Sequence, residues 1–420
     1  MDLKLSRPLA AHSGGRLEIT GSKSESNRLL ILQALFPKLK LSNLSISDDT
    51  VHLKDLLQQT SNKGIDIGHA GTAMRFGTAF LAATLGVETV ISGSERMHQR
   101  PIGILVDALR ELGASINYEG REGFPPLRIK GANLPGGSII IDGSVSSQFL
   151  TALLLIAPSM KDGLLLRIKK KLASRPYLDM TLELLRKIGV EVHAQNAMDK
   201  QAGLVIEVKP LLKLNRSCIT VESDWSSAGY WYSWVALQHT GYTVQLTSYT
   251  PNSLQGDSKL QDIYKPLGVE SIFENRLLKL VKVQETLPDM VMLDLSKEPD
   301  QAQTLFATCL GLGINAHLTG LQTLKIKETD RIEAMKVVGS RFRESVIKTT
   351  HDSIILHIDG DSTFNKRVVV DTYHDHRMAM AFAPLTMFTN VIIKDAGVVS
   401  KSYPSYWKHM EALGCRIDPV

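Results

Sequence analysis

The chain has 420 residues, with 48 Lys and Arg against 43 Asp and Glu, and a formal charge of +5 at pH 7. That length exceeds one core and calls for two or three domains. The positive balance is mild, no Lys/Arg run exceeds Lys169-Lys170-Lys171 at a strand end, and no stripe interleaves aromatic and basic residues, so nothing suggests a nucleic-acid platform, and small acidic ligands are the other partners a basic chain can have.

The opening MDLKLSRPLA has no apolar core of the kind a secretion signal needs, and the longest apolar runs, such as Ala152 to Ala157, are far too short to span a bilayer. Next comes GSKSESNR at 21–28. It is not a nucleotide-binding P-loop, because Ser22 separates Gly21 from Lys23 and no earlier glycine has the required spacing. It reads as the start of a helix over 27–36, with Ser22, Ser24 and Ser26 as caps. Lys23 and Arg28 beside a helix N-terminus also suit an anion.

Further along, a helical stretch repeatedly ends in an apolar residue plus glycine and a short strand follows. Gly113, Gly189, Gly268 and Gly414 are the clear cases, and Gly64 and Gly339 are weaker copies. A glycine just past a helix takes the left-handed conformation at low cost. Their successive spacings are 49, 76, 79, 71 and 75, so six α/β units are expected, the first of them short. Pro101, Pro176 and Pro404 fit first helical positions. In the run after Pro176, Leu178, Thr181, Leu182 and Leu185 share a face. Strands are expected at 138–142 and 368–371. The fold class is α/β or α+β with mixed sheets.

Cations recur beside small or rigid residues in AGTAMR (70–75), RMHQRP (96–101), SRPY (174–177), KETDR (327–331), DHR (375–377) and SKSYP (400–404), and SVSSQ (144–148) is a further small-residue stretch, without a cation. Taken singly, AGTAMR also reads as a plain helix start, KETDR as a cap or surface ion-pair ladder, and DHR as a solvated cluster. Cys218, Cys309 and Cys415 are odd in number and widely spaced, so neither a disulfide framework nor a metal site is expected, and a reducing compartment is.

Taken in order, GSKSESNR, AGTAMR, the RPIGILVDALRELGA run, SSQFLTALL, SRPY, KETDR, DHRMAM and SKSYPSYW resemble the EPSP synthase (3-phosphoshikimate 1-carboxyvinyltransferase) family from about residue 20 to the C-terminus. The resemblance implies a two-domain inside-out α/β barrel built from six βαβαββ repeats. One domain would comprise 1–20 plus 224–420 and the other 21–223, with a cleft between them that closes on substrate. It implies transfer of the enolpyruvyl group of phosphoenolpyruvate to the 5-hydroxyl of shikimate-3-phosphate, with loss of phosphate from a tetrahedral intermediate. Neither a metal nor an organic cofactor is implied. A cytoplasmic monomer is expected, with small-molecule substrates and no nucleic-acid or membrane partner.

Residue by residue, the resemblance assigns shikimate-3-phosphate to Lys23, Ser24, Arg28, Ser146, Ser147, Gln148, Ser174, Tyr177, Asp300, Thr323 and Lys327. It assigns phosphoenolpyruvate to Lys23, Gly71, Arg100, Gln148, Arg331, His376, Arg377 and Lys401. Asp300 would take the proton of the attacking hydroxyl, Glu328 would protonate C3, and Lys23 would share the proton work. The two substrates together carry about −5 to −6, at roughly −1.5 to −2 for each phosphate, so a crowd of cations is a physical requirement.

The chain departs from the family's usual pattern at Thr323 (usually Asn), at His69 (usually Asn) and at Phe76 (usually Pro). Phe76 is expected to shift Gly71 and Thr72, and with them sensitivity to glyphosate. The short first spacing predicts that one repeat lacks a strand pair. Two rivals remain. A UDP-N-acetylglucosamine enolpyruvyl transferase would carry a loop Cys, and the stretch from Arg96 to Arg100 has none. A non-catalytic anion- or nucleic-acid-binding protein of the same fold would not need Asp300 and Glu328.

Overall fold

The computed structural model describes residues 1–7, 14–58, 64–143, 146–169, 175–196, 203–360 and 362–420. The chain forms two compact units. One is continuous, Gly21–Val221; the other is split, Met1–Thr20 with Glu222–Val420.

One repeat explains both units. Two parallel strands flank a buried helix; a second helix follows; an antiparallel hairpin then adds to the second strand. In the continuous unit Ile65–Asp66 lies parallel to Glu88–Ser92, and the hairpin Ser115–Tyr118 with Leu127–Lys130 completes the sheet. Gly137–Asp142 and Leu164–Lys169 repeat the arrangement with Val192–Asn196 and Leu204–Val208. In the split unit the parallel pairs are Gly14–Leu17 with Thr243–Thr247, Met290–Asp294 with Asn315–Thr319, and Arg367–Val370 with Asn390–Ile393. The third of these sheets is completed by both ends of the chain: Leu3–Ser6 inserts between Asn390–Ile393 and Arg416–Pro419.

Five sheets among the described residues have four strands, and one has two. The small one pairs Cys218–Thr220 with Lys40–Ser42 in parallel, around the buried helix Lys23–Leu35, and has no hairpin. This is the shortened repeat that the 49-residue spacing signalled.

Composition decides which helix goes inside. Ser147–Ile156 reads SQFLTALLLI, apolar around most of its circumference, and is buried from Phe149 to Ile156. Trp225–Ala236 is buried along nearly its whole length, with Trp225, Trp231 and Trp234 sealed from solvent. A helix with no polar stripe has no face to give to water. The first helices of the three repeats in each unit therefore pack on one another: Lys23–Leu35, Gly71–Ala82 and Ser147–Ile156 in one, Trp225–Ala236, Ala302–Leu312 and His376–Phe382 in the other. Sheets lie outside them, with strands such as Leu127–Lys130 alternating buried and exposed side chains. Second helices are two-sided. Arg175–Ile188 buries Leu178, Met180, Thr181, Leu182, Leu184, Leu185 and Ile188.

Several local expectations shift. Gly113, Gly189, Gly268 and Gly414 have φ of +96°, +105°, +82° and +87°. Gly64 and Gly339 are not left-handed; Gly339 is the last residue of the helix Arg331–Gly339, where a Cβ would press 2.7 Å from the Phe306 ring. Pro176 lies in the first turn of its helix, but Pro101 and Pro404 precede theirs, because Ile102 and Ser405 are the capping residues. The first buried helix starts at Lys23, four residues before the expected start. Ser22 alone caps it; Ser24 and Ser26 lie within it, and the Ser26 hydroxyl accepts the Ser45 N–H instead.

Candidate active site

In the continuous unit three buried helices begin at Lys23, Gly71 and Ser147. Their first turns lie together. The Gln148 amide donates to the Thr72 hydroxyl at 3.4 Å, and the Arg28 guanidinium sits 5.7 Å from the Phe76 ring centre. Each helix start carries unpaired N–H groups and partial positive charge, so three together favour an anion. Ser146 caps the third helix by accepting the Gln148 N–H, and Ser147 is its half-buried first residue.

Cations surround these turns. Lys23 pairs with Asp49 at 3.2 Å. Arg28 is buried and donates to Thr181 Oγ1, the Ser24 carbonyl, Thr151 Oγ1 and the Tyr177 carbonyl. The Tyr177 ring lies 5.8 Å from its guanidinium. Burial pulls Arg28 down to about 10, still charged at neutral pH. Arg100 lies flat against Gly71, where a Cβ would come within 2.4 Å of its Nη1. Gly71 thus makes room for a cation next to the helix start. Arg75 backs this arrangement, donating to the Gly71 and Pro101 carbonyls, and burial followed by the nearby Arg100 holds its pKa well below the ordinary value. Ser174 lies outside the described residues.

The split unit gathers the other candidates around Arg331. This buried guanidinium meets Asp375 at 2.6 Å, Glu328 at 2.8 Å and Asp300 at 3.2 Å. Arg377 reaches the Asp300 carboxylate at 3.1 Å and its carbonyl at 3.0 Å. Lys401 meets the other Glu328 oxygen at 2.6 Å. Asp300 sits on the short turn Pro299–Gln301, ahead of the buried helix Ala302–Leu312. Asp375 caps the third buried helix through the Arg377 N–H, and His376 Nδ1 lies 3.6 Å from it. Asp330, not Glu328, caps the helix Arg331–Gly339, so Glu328 is free of that structural duty.

The electrostatics follow. Burial opposes charge on Glu328, but Arg331 and Lys401 overcome it and hold the carboxyl well below the usual carboxylate range. Burial also works against Arg331, yet Asp375, Glu328 and Asp300 raise its pKa above the ordinary value. Burial lowers Lys327, while Asp300 pulls the other way. Thr323 is half-buried on the turn Gln322–Ile326, four residues before Lys327.

Sequence reasoning passed over three members of these clusters. Asp375 is fully buried and grips Arg331, although it opens the DHR stretch. Asp49, partner of Lys23, sits in an otherwise ordinary helix. Asp257 is buried against Gln301, and only its place next to a glycine marked it.

The EPSP synthase (3-phosphoshikimate 1-carboxyvinyltransferase) family model matches residues 54–410. A 3-phosphoshikimate 1-carboxyvinyltransferase of Bacteroides fragilis strain YCH46 is 44% identical over 402 residues, 95% of each chain. One from Tolumonas auensis is 34% identical, covering 96% of this chain and 97% of its own. An EPSP synthase structure from Acinetobacter baumannii shares the fold, with a TM-score of 0.78, 21% identity and full coverage of both chains. A family model over most of the chain, and relatives at 44% and 34% identity along nearly their whole length, show that the chain belongs to the EPSP synthase family.

Proposed function

We propose that this enzyme transfers the enolpyruvyl group of phosphoenolpyruvate to the 5-hydroxyl of shikimate-3-phosphate and releases phosphate, and that the residues above carry out the steps. The observation that carries the reading is the Arg331 cluster: two carboxylates suited to moving protons, Asp300 and Glu328, are each held by two cations.

Shikimate-3-phosphate binds to Lys23, Ser24, Arg28, Ser146, Ser147, Ser174 and Tyr177, with Gln148 between the substrates, and Lys327 and Thr323 are its further ligands. The helix starts supply N–H groups to its phosphate. Phosphoenolpyruvate binds to Arg100 beside Gly71, and to Arg331, Arg377 and Lys401, with His376 adjacent. Asp300 accepts the proton of the 5-hydroxyl as its oxygen bonds to C2 of phosphoenolpyruvate. C3 takes a proton from Glu328. The tetrahedral adduct then expels phosphate, and a C3 proton returns to the enzyme.

Glu328 must hold a proton to give one, and its cations keep it ionised. An anionic substrate that engages Lys401 and Arg331 draws both away from Glu328. Its burial then favours the neutral acid. Substrate binding itself therefore arms the donor, which separates the acid and base roles of the two carboxylates.

The test is phosphate release from phosphoenolpyruvate with shikimate-3-phosphate, then with UDP-N-acetylglucosamine, then with neither. Release only in the first mixture is expected. Release with the UDP-sugar, or none in any mixture from folded protein, overturns the reading. Phe76 in the second turn of the Gly71 helix is expected to alter glyphosate inhibition, and an inhibition curve identical to that of relatives with Pro at this position would count against it.

A further inference from the structure

Behind Asp300 lies a second layer of side chains that the transfer reaction does not use directly. Asp257 sits on the turn Gly256–Lys259 and is 7% exposed. Its Oδ2 accepts from the Gln301 amide at 2.7 Å and from the Ser226 hydroxyl at 2.5 Å. Gln301 is the residue after Asp300, on the same short turn. Its amide is pressed against Gly229 of the helix Trp225–Ala236, where a Cβ would come within 2.2 Å of Oε1. Asp257 and the absent side chain at Gly229 thus fix Gln301, and Gln301 fixes the turn that presents Asp300.

Asp257 also acts through its charge. The helix Trp225–Ala236 offers it only the Ser226 hydroxyl as a partner. The Asp300 turn faces it with Asp300 and, just ahead, Glu298; the third buried helix faces it with Arg377. Burial, then the charge of Asp300, pushes Asp257 up to about 6. Burial, then Asp257, pushes Glu298 up to about 7. Charge coupling is mutual, so an ionised Asp257 strengthens Asp300 as a base by the same interaction that Asp300 exerts on it.

We propose that Asp257 is a positioning residue for proton abstraction: through Gln301 it holds the turn that presents Asp300, and its negative charge raises the basicity of Asp300. The inference rests on Asp300 being the proton acceptor.

The charge of Asp257 appears as pH rises through about 6, so kcat of the wild-type enzyme should show an inflection there. Asp257→Asn keeps an acceptor oxygen for Gln301 and Ser226 but removes the charge. The inflection should vanish, and kcat at pH 7.5 should fall roughly threefold to tenfold with both KM values nearly unchanged. Ser226→Ala removes a hydrogen bond that favours ionised Asp257, so it should move the inflection to higher pH. This second variant serves even if the first fails to fold. An inflection unmoved in Ser226→Ala, or a folded Asp257→Asn with an unaltered profile, overturns the proposal. So does a change confined to KM. Asp300→Asn separates the two ideas: a wild-type rate in that variant sinks the role of Asp300 itself, whereas an inactive Asp300→Asn beside an unaffected Asp257→Asn sinks only the role of Asp257.

Discussion

Gly71 has a hydrogen where any other residue would place a Cβ 2.4 Å from Arg100 Nη1. The obstructed atom ends a flexible side chain, so the helix survives a substitution and the guanidinium moves. Gly71→Ala should leave thermal stability nearly unchanged while raising KM for phosphoenolpyruvate about tenfold, since small displacements of a binding cation are costly; an unchanged KM would refute the assignment of Arg100. Glu328 makes the opposite kind of prediction, about stability and pH. Its folded-state pKa lies below the unfolded value of about 4.3, so its contribution is present at neutral pH and lost as acid protonates the folded carboxylate. Glu328→Gln should therefore cost about 3 kcal/mol at pH 7, the scale of a broken buried ion pair, and progressively less below pH 4. Melting curves of both proteins across pH 3 to 7 check this; a gap that stays constant on acidification rules it out. The cations of both clusters were legible in the sequence because each stands in a distinctive short stretch. Their carboxylate partners were less so. A buried Asp such as Asp375 is written with the same letter as a solvated one, and only packing reveals that it grips Arg331.

The repeating pattern of elements was legible because one physical need recurs: each repeat that completes a four-stranded sheet ends its second helix and reverses into an antiparallel strand. Where a left-handed residue makes that reversal, as at Gly113 or Gly268, glycine marks it. Gly339 carried the same letter for another reason, the closeness of Phe306. Proline misled for a related cause, since Pro101 is as compatible with the residue before a cap as with the first turn. Phe76 also changes meaning once the helix is placed. It is the sixth residue of Gly71–Ala82, inside the helix, where proline would forfeit a backbone hydrogen bond. It is 1% exposed and carries the Arg28 guanidinium on its ring, so Phe76→Ala should cost about 3 to 5 kcal/mol, measurable by denaturant melts. A loss under 1 kcal/mol would show that the ring is not part of the core. The repeat without a hairpin should be the softest element. Among the described residues, Lys40–Ser42 and Cys218–Thr220 have only each other as ladder partners, whereas Leu164–Lys169 is paired on both edges. Amide exchange at Leu41 and Ile219 should precede that at Leu166 by orders of magnitude; equal protection would contradict the local stability argument.

At the scale of the whole molecule, the split unit depends on a segment far away in sequence. Leu3–Ser6 is not an edge strand: it pairs with Asn390–Ile393 on one side and Arg416–Pro419 on the other. Leu3 and Leu5 are buried, and Asp2 is anchored to Lys394 and to the Asp395 N–H. Removing residues 1–6 strips two buried leucines, worth roughly 1.5 to 3 kcal/mol each, and takes away the strand that pairs with Arg416–Pro419. It also opens the ladder edge of Asn390–Ile393, whose buried backbone groups then lack partners. Together these losses approach the 5 to 15 kcal/mol that stabilise a typical domain. Deletion of 1–6 should therefore unfold the split unit. The continuous unit contains no residue before Gly21 and should keep its own melting transition, matching that of an isolated 21–221 fragment. Deleting 416–420 removes only an edge strand with Ile417 half-buried, so its penalty should be smaller. Calorimetry of the two truncations and the fragment decides the matter. If the 1–6 deletion melts like the full chain, the first strand does not hold the last repeat together; if it abolishes both transitions, the units do not fold independently.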